Sequence, residues 1–303
     1  MFKLFLKVCF DKTFLKSFVF GSFLAVIICL SISYFNFQES RSLVEFRESN
    51  LSHFMHRSYW ATYLVLAFAF TLYLLIKKEM KFWMGIPVLL IFLVTVFLTG
   101  SKMGILLLIL TAVTFLFYLV RQTKQIKWSI ITTFSFACVI GLVLYLSPSI
   151  SNRLTSSYNY LIGNYSIDKE NTESTASRIL VWETATEIIK ENPIFGVGTG
   201  DVKDVIIERN RQKGNIDVAN KKLNAHNQFL NSWVALGVLG MLFLLFVFIF
   251  PFIYTNNEIK FISRIIIFIL FTSMLSESFL ETQAGIIPVA FLICLIPALR
   301  LKN

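Results

Sequence analysis

Charge is scarce in this chain. Only 15% of its 303 residues are Asp, Glu, Lys or Arg, whereas 56% are apolar, 32 of them Phe. So little polar surface cannot clothe a water-soluble domain, and the apolar residues come in runs of about twenty. Cysteine is scarcer still: Cys9, Cys29, Cys138 and Cys294 are far apart, and none lies in the longest polar stretch. Their spacing supports neither a disulfide framework nor a zinc site. Internal repeats and low-complexity tracts are missing too, which argues for one membrane domain rather than a modular array.

What is present is a series of eight apolar segments, at about 18–35, 58–76, 83–98, 103–120, 129–147, 232–254, 262–277 and 285–299. The fold class is therefore all-α: a polytopic membrane helix bundle of about eight spans with a long helical extracytoplasmic loop. Three parts follow. Residues 1–147 carry the N-terminal transmembrane helices, 148–231 form a loop with amphipathic helices, and 232–303 carry the C-terminal transmembrane helices. The start, MFKLFLKVCFDKTFLKS, is not a cleavable signal, because the next apolar run is too long and no small-residue site ends it. Its Lys3, Lys7, Lys12 and Lys16, spaced by four among Phe and Leu, suit a helix lying on an anionic membrane face.

The net charge of +10 follows from topology. With the N-terminus inside, the inner segments hold nearly all the excess Lys and Arg, and the outer ones are close to neutral. This positive-inside pattern leaves no need for a nucleic-acid partner. It places 36–57, the turn at 99–102, the loop 148–231 and the link 278–284 outside. The segment 262–277 is the weakest span, since Arg264 lies near one end and Ser276 and Glu277 near the other.

The long loop holds most of the chemistry-bearing residues. Ser177, followed by Ile179, Trp182, Ala185, Ile188 and Ile189 and ended by Pro193, predicts an amphipathic helix of about four turns capped by Ser177. Arg178 sits in its first turn with Trp182 one turn on, so the guanidinium can be held by the indole. An arginine at the positive end of a helix favours a bound anion, or else a pairing with Glu173 or Glu183. Next comes NPIFGVGTGD, whose glycines lack the preceding strand of a dinucleotide fingerprint; they predict a tight turn before a second helix begun near Asp201. Arg209, Arg211, Lys213, Lys221 and Lys222 then form either an anion-attracting surface or a mobile solvated link.

In LNAHNQFLNSW, His226 and Asn227 stand at the mouth of the sixth apolar segment. A histidine there can take a proton from a hydroxyl, or simply anchor the helix beside Trp233. Asn227 is placed to orient the ring or a sugar. Lys102, where the fourth segment begins, can join the free helix N–H groups as an anion site or snorkel to the boundary. His53, His56 and Arg57 precede the second segment, and Glu277 and Glu281 can hold a substrate hydroxyl or pair with these cations.

Four stretches, HRSYWATYL, LTGSKMGILL, SRILVWETATEIIKENPIFGVGTGD and AHNQFLNSWVALGVLG, resemble in order the segments of the O-antigen ligase family, which shares its membrane fold with O-antigen polymerases and oligosaccharyltransferases. The resemblance runs over roughly 50 to 290. It implies an inverting, metal-independent and cofactor-free glycan transfer from undecaprenyl diphosphate to an acceptor hydroxyl, on lipid A-core or another glycan. The site would be periplasmic, on a multi-pass protein of the bacterial inner membrane in contact with its lipids. His226 would be the catalytic base and Arg178 would bind the leaving diphosphate. Asn227, Trp182, Arg209, Arg211, His56 and Glu277 would contribute to substrate binding. Lys102 stands where the family has an arginine, and keeps the charge without the bidentate fork. The family usually has about a dozen spans, so this chain is expected to lack some N-terminal ones. A polysaccharide polymerase is the nearest rival, with a polyisoprenoid-glycan transporter or an inactive truncated homologue further off.

Overall fold

A computed structural model of the chain describes residues 12–123, 167–253 and 259–298, with isolated positions at 141, 155, 158, 159 and 255. Among the described residues the regular structure is helical, with no strand. The expected span 129–147, apart from position 141, lies outside them, as do Lys3, Lys7, Cys9 and Cys138. The chain divides into two compact units, one of residues 1–151, 254–270 and 294–303, the other of 152–253 and 271–293.

The first unit is built from α1 (Lys12–Ser40), α2 (Arg57–Ile76), α3 (Phe82–Leu98) and α4 (Lys102–Thr123). By length and composition α1, α2 and α4 can each cross a membrane, and α3 is a shorter apolar helix. The central element is α2, against which the other three pack. Its most apolar stretch is 83% buried, against 22% in α1. Burial so deep requires its hydroxyls to be satisfied locally, and Thr62 and Thr71 donate to the carbonyls of Ser58 and Ala67 one turn back. Lys12 and Lys16, expected on a surface helix, instead open the long α1 and approach Glu79.

The second unit begins with α5 (Ser174–Glu191), α6 (Val202–Gln212), α7 (Ile216–Asn220) and α8 (Gln228–Ile253). The expected amphipathic rhythm is realised in α5. Leu180, Val181, Ala185, Ile188 and Ile189 face Val202, Ile206, Val218, Val234 and Ala235 in one apolar core. Each large aliphatic side chain so buried contributes about 1.5–3 kcal/mol. The helix has its N-cap at Glu173, four residues earlier than expected. Ser177 lies inside the first turn, where its hydroxyl donates to Glu173 O and meets Thr172 Oγ1, so it is not the cap. Residues 209–222, one reading of which was a mobile link, fall on the end of α6, on α7 and on the turns beside them. A buried amide network ties them to α5: Asn210 Oδ1 accepts from Thr184 Oγ1 and from Asn215 Nδ2.

One feature of α8 has no counterpart in the sequence reading. The helix is broken at Gly237, where φ is 67° and ψ is −165°. A break frees carbonyls and N–H groups that an apolar surrounding does not tolerate. The NPIFGVG loop after α5 takes them up. Val197 N donates to Val234 O at 2.8 Å and Gly198 N to Ala235 O at 2.9 Å, while Val238 N donates to Pro193 O at 2.9 Å. The approach is too close for side chains. A Cβ on Gly237 would stand 1.9 Å from Ile194 O, and one on Gly196 would stand 2.5 Å from Val234 O. The turn expected from these glycines is therefore also a splice between two segments.

The chain continues through α9 (Lys260–Met274) and α10 (Gln283–Ala298), each shared between the two units. In the first unit Phe261 of α9 stacks on Tyr118, with centroids 3.8 Å apart. In the second, Phe271 packs on Phe229. The weakest expected span, 262–277, stops short: Ser276 N and Glu277 N both turn back to Ser273 O. This bend takes the Glu277 carboxylate out of the apolar run.

Candidate active site

The residues around His226 are placed by the ends of three elements in the second unit. Ahead of α8, Asn227 Oδ1 accepts from Phe229 N at 2.9 Å and from Leu230 N at 3.1 Å, which makes it the cap of that helix. Its side-chain oxygen, expected to orient the ring or a sugar, is thus committed to the backbone. His226 has a positive φ of 43°. That conformation is uncommon for a residue with a Cβ and has to be held by neighbours. Asn224 Oδ1 accepts from His226 N at 3.0 Å, and Trp182 Nε1 donates to Ala225 O at 2.8 Å. Trp182 therefore positions the His226 segment, and Arg178 does not rest on it.

Arg178 turns to an acid distant in sequence. Its NH2 donates to Glu277 Oε1 at 2.9 Å, and NH1 donates to Ser174 Oγ at 3.0 Å. The expected alternatives, Glu173 and Glu183, are not its partners. The other oxygen of Glu277, Oε2, lies 3.1 Å from His226 Nδ1. Glu277 is 4% exposed, so both its oxygens are spent inside the protein. A carboxylate only accepts, so Nδ1 carries a proton, and in the neutral ring that leaves the lone pair on Nε2. The Arg178 side chain is 24% exposed and His226 23%, so the ring and the guanidinium both border open space. Arg178 Nε is a buried donor without a partner. Glu173, the N-cap of α5, makes no side-chain capping bond to that helix.

A second acid holds the same floor. Glu281 Oε2 accepts from Asn224 Nδ2 at 3.1 Å, and its Oε1 accepts from Asn231 Nδ2. Gln228 Oε1 accepts from Leu280 N at 2.7 Å. These contacts fasten the 277–281 bend to the start of α8. Asn224 and Gln228 escaped the sequence reading, which placed Asn231 only on the face of Asn227, because polar residues at a helix mouth look alike until their partners are known.

The remaining expected residues make other contacts. Arg209 makes a bidentate pair with Glu191, at 2.7 Å for each bond, and its hydrogen bonds hold the Glu191 carboxyl below the usual carboxylate range. Arg211 pairs with Glu208, Lys213 with Glu187 and Lys221 with Asp217. Both arginines are thus engaged by acids of the same loop. His56 and Lys102 belong to the first unit. His56 Nδ1 accepts from Ser58 N as the cap of α2. Lys102 opens α4 after a turn in which Ser101 Oγ accepts from Gly104 N. Among the described residues, no group of three His, Cys, Asp or Glu side chains has metal-binding geometry.

Among the described residues four helices are long and apolar enough to cross a membrane, so the fold is that of a helical membrane bundle. The comparison with known families is specific. A model described as O-antigen ligase matches residues 87–245, more than half of the sequence, and the chain belongs to the O-antigen ligase family. It is also similar to an uncharacterized protein of Haemophilus influenzae (strain ATCC 51907 / DSM 11121 / KW20 / Rd), 30% identical over 191 residues, which cover 61% of this chain and 46% of that protein. The matched stretch thus spans about half the length of that relative. The α5 helix, the glycine loop and His226 all fall within the family match.

Proposed function

We propose that this protein transfers a glycan from undecaprenyl diphosphate to an acceptor hydroxyl, of lipid A-core or of another glycan, at the periplasmic face of the bacterial inner membrane. The observation that carries the reading is the Glu277 carboxylate shared between His226 Nδ1 and Arg178. It joins a potential proton acceptor and a cation, both partly exposed, through one buried carboxylate. In the step, the acceptor oxygen bonds to the anomeric carbon while its proton passes to His226 Nε2. The bond from that carbon to the diphosphate oxygen breaks on the opposite face, with inversion, and undecaprenyl diphosphate leaves. Arg178 stabilises the charge on the departing diphosphate. The shared carboxylate balances the positive charge that the ring gains.

The test is a carbohydrate gel of lipopolysaccharide from cells that lack the protein, complemented by wild type, His226→Ala or Arg178→Ala. Loss of every capped form with each variant, at normal membrane abundance, supports ligation. A single repeat unit left on the core points to polymerisation by the same machinery. Normal capping by either variant overturns the assignment of the site.

A further inference from the structure

Along the outward side of α5 runs an open groove of about 440 Å³, lined by Ile179, Trp182, Glu183, Thr186, Glu187 and Lys190. The six residues are two neighbouring rows of the helix surface, 179–183–187 and 182–186–190, each with a step of four. They extend for about 16 Å along the axis, the length of a short oligosaccharide rather than of one sugar ring. We propose that this groove is a glycan-binding subsite that holds the sugar chain beyond the unit being transferred. The inference rests on the transferase reading given above and adds a second, distal site to it.

The lining matches a sugar chain in kind and in arrangement. Ile179 and the Trp182 indole supply apolar surface, and an aromatic face is electron-rich and attracts polarised sugar C–H groups. Glu183, Thr186 and Lys190 are exposed, and together they offer acceptors and donors for hydroxyls and acetamido groups. Among the described residues neither Glu183 nor Lys190 has an ion-pair partner, whereas Glu187 is held at 2.7 Å by Lys213. The groove therefore has one side fixed and one side available.

The position of Trp182 links the groove to the chemistry. Its Nε1 is bonded to Ala225 O, one residue before His226, so the ring that floors the groove is held in place by the segment that carries the base. A platform fixed before the ligand arrives binds at less entropic cost than one that must be ordered. A glycan laid along these two rows lies on the helix that also carries Arg178, one turn before Trp182. Its reducing-end unit then reacts while the units behind are gripped, which makes the groove a determinant of glycan length.

The full-length protein in lipid nanodiscs is titrated with glycan released by mild acid from the carrier lipid of the cells that make it, and binding is read by saturation transfer to the sugar C–H protons. Wild type is expected to show saturation transfer. Thr186→Trp, which fills the groove from an exposed position, and Glu183→Ala each weaken binding about tenfold or more. Unchanged affinity in both groove variants, or no binding by wild type, overturns the proposal. The two readings fail separately: binding without glycan transfer by wild type sinks the transferase and leaves the groove, and transfer without groove binding does the reverse.

Discussion

Glu277 Oε2 stands 3.1 Å from His226 Nδ1, although 51 residues separate the two in sequence. The contact selects the imidazole tautomer, because the acceptor-only carboxylate requires the proton on Nδ1. Glu277→Gln offers an amide that can donate as well as accept, and it loses the ion pair to Arg178. Glycan transfer in isolated membranes is expected to fall by a factor on the order of a hundred to ten thousand at unchanged abundance. An activity within threefold of wild type would remove Glu277 from the mechanism.

The splice between the glycine loop and α8 has a steric test. Gly237→Ala combines a backbone at φ 67° with a Cβ 1.9 Å from Ile194 O. The conformation alone costs about 1–3 kcal/mol, and the clash adds to it. The melting temperature of the purified protein in detergent is expected to drop clearly. Gly200→Ala, with open space around it and no positive φ, is expected to leave it in place.

Acid should loosen the start of α5. Burial alone would raise the Asp217 carboxyl, but hydrogen bonds from Lys221 and from the side chain and backbone of Thr172 outweigh it and hold the group below the usual carboxylate range. A lowered folded value means that the contribution to stability is present above the unfolded value and is lost as pH falls through the folded one. Exchange of the Thr172 amide, which donates to Asp217 at 2.9 Å, is the direct probe. Its protection, corrected for intrinsic rate, is expected to fall at acid pH, and Asp217→Asn is expected to abolish that dependence.

The paired basic residues separate substrate binding from local structure. Arg211 already has Glu208 at 2.8 Å in a half-exposed pair, an interaction of little weight in water. Arg211→Gln is expected to leave transfer within about twofold of wild type. A loss as large as that of Arg178→Ala, measured in the same membranes, would show that the sugar donor displaces Glu208.

Much of the scaffold was legible in the sequence because lipid exposure demands unbroken apolar length. The segments 58–76, 83–98 and 103–120 reappear as α2, α3 and α4 within a few residues. The periodicity of 179–189 gave α5 for the same kind of reason, namely a face to bury. What the sequence withheld depends on distant partners. The bond from Arg178 to Glu277 joins positions 99 residues apart, and an apolar helix that contains Gly237 reads the same whether or not it breaks there. Asn227 shows the opposite difficulty. A polar residue beside a candidate base invites a chemical role, but its oxygen is occupied by the first turn of α8.

The interlocked backbones of 193–198 and 234–238 also constrain how the protein can change over generations. Because each segment supplies the partners and the clearance that the other lacks, recombination between homologues succeeds when both come from one parent. A crossover that separates them joins a loop to a helix shaped for a different loop. Chimaeras between family members should therefore keep their junctions outside this pair.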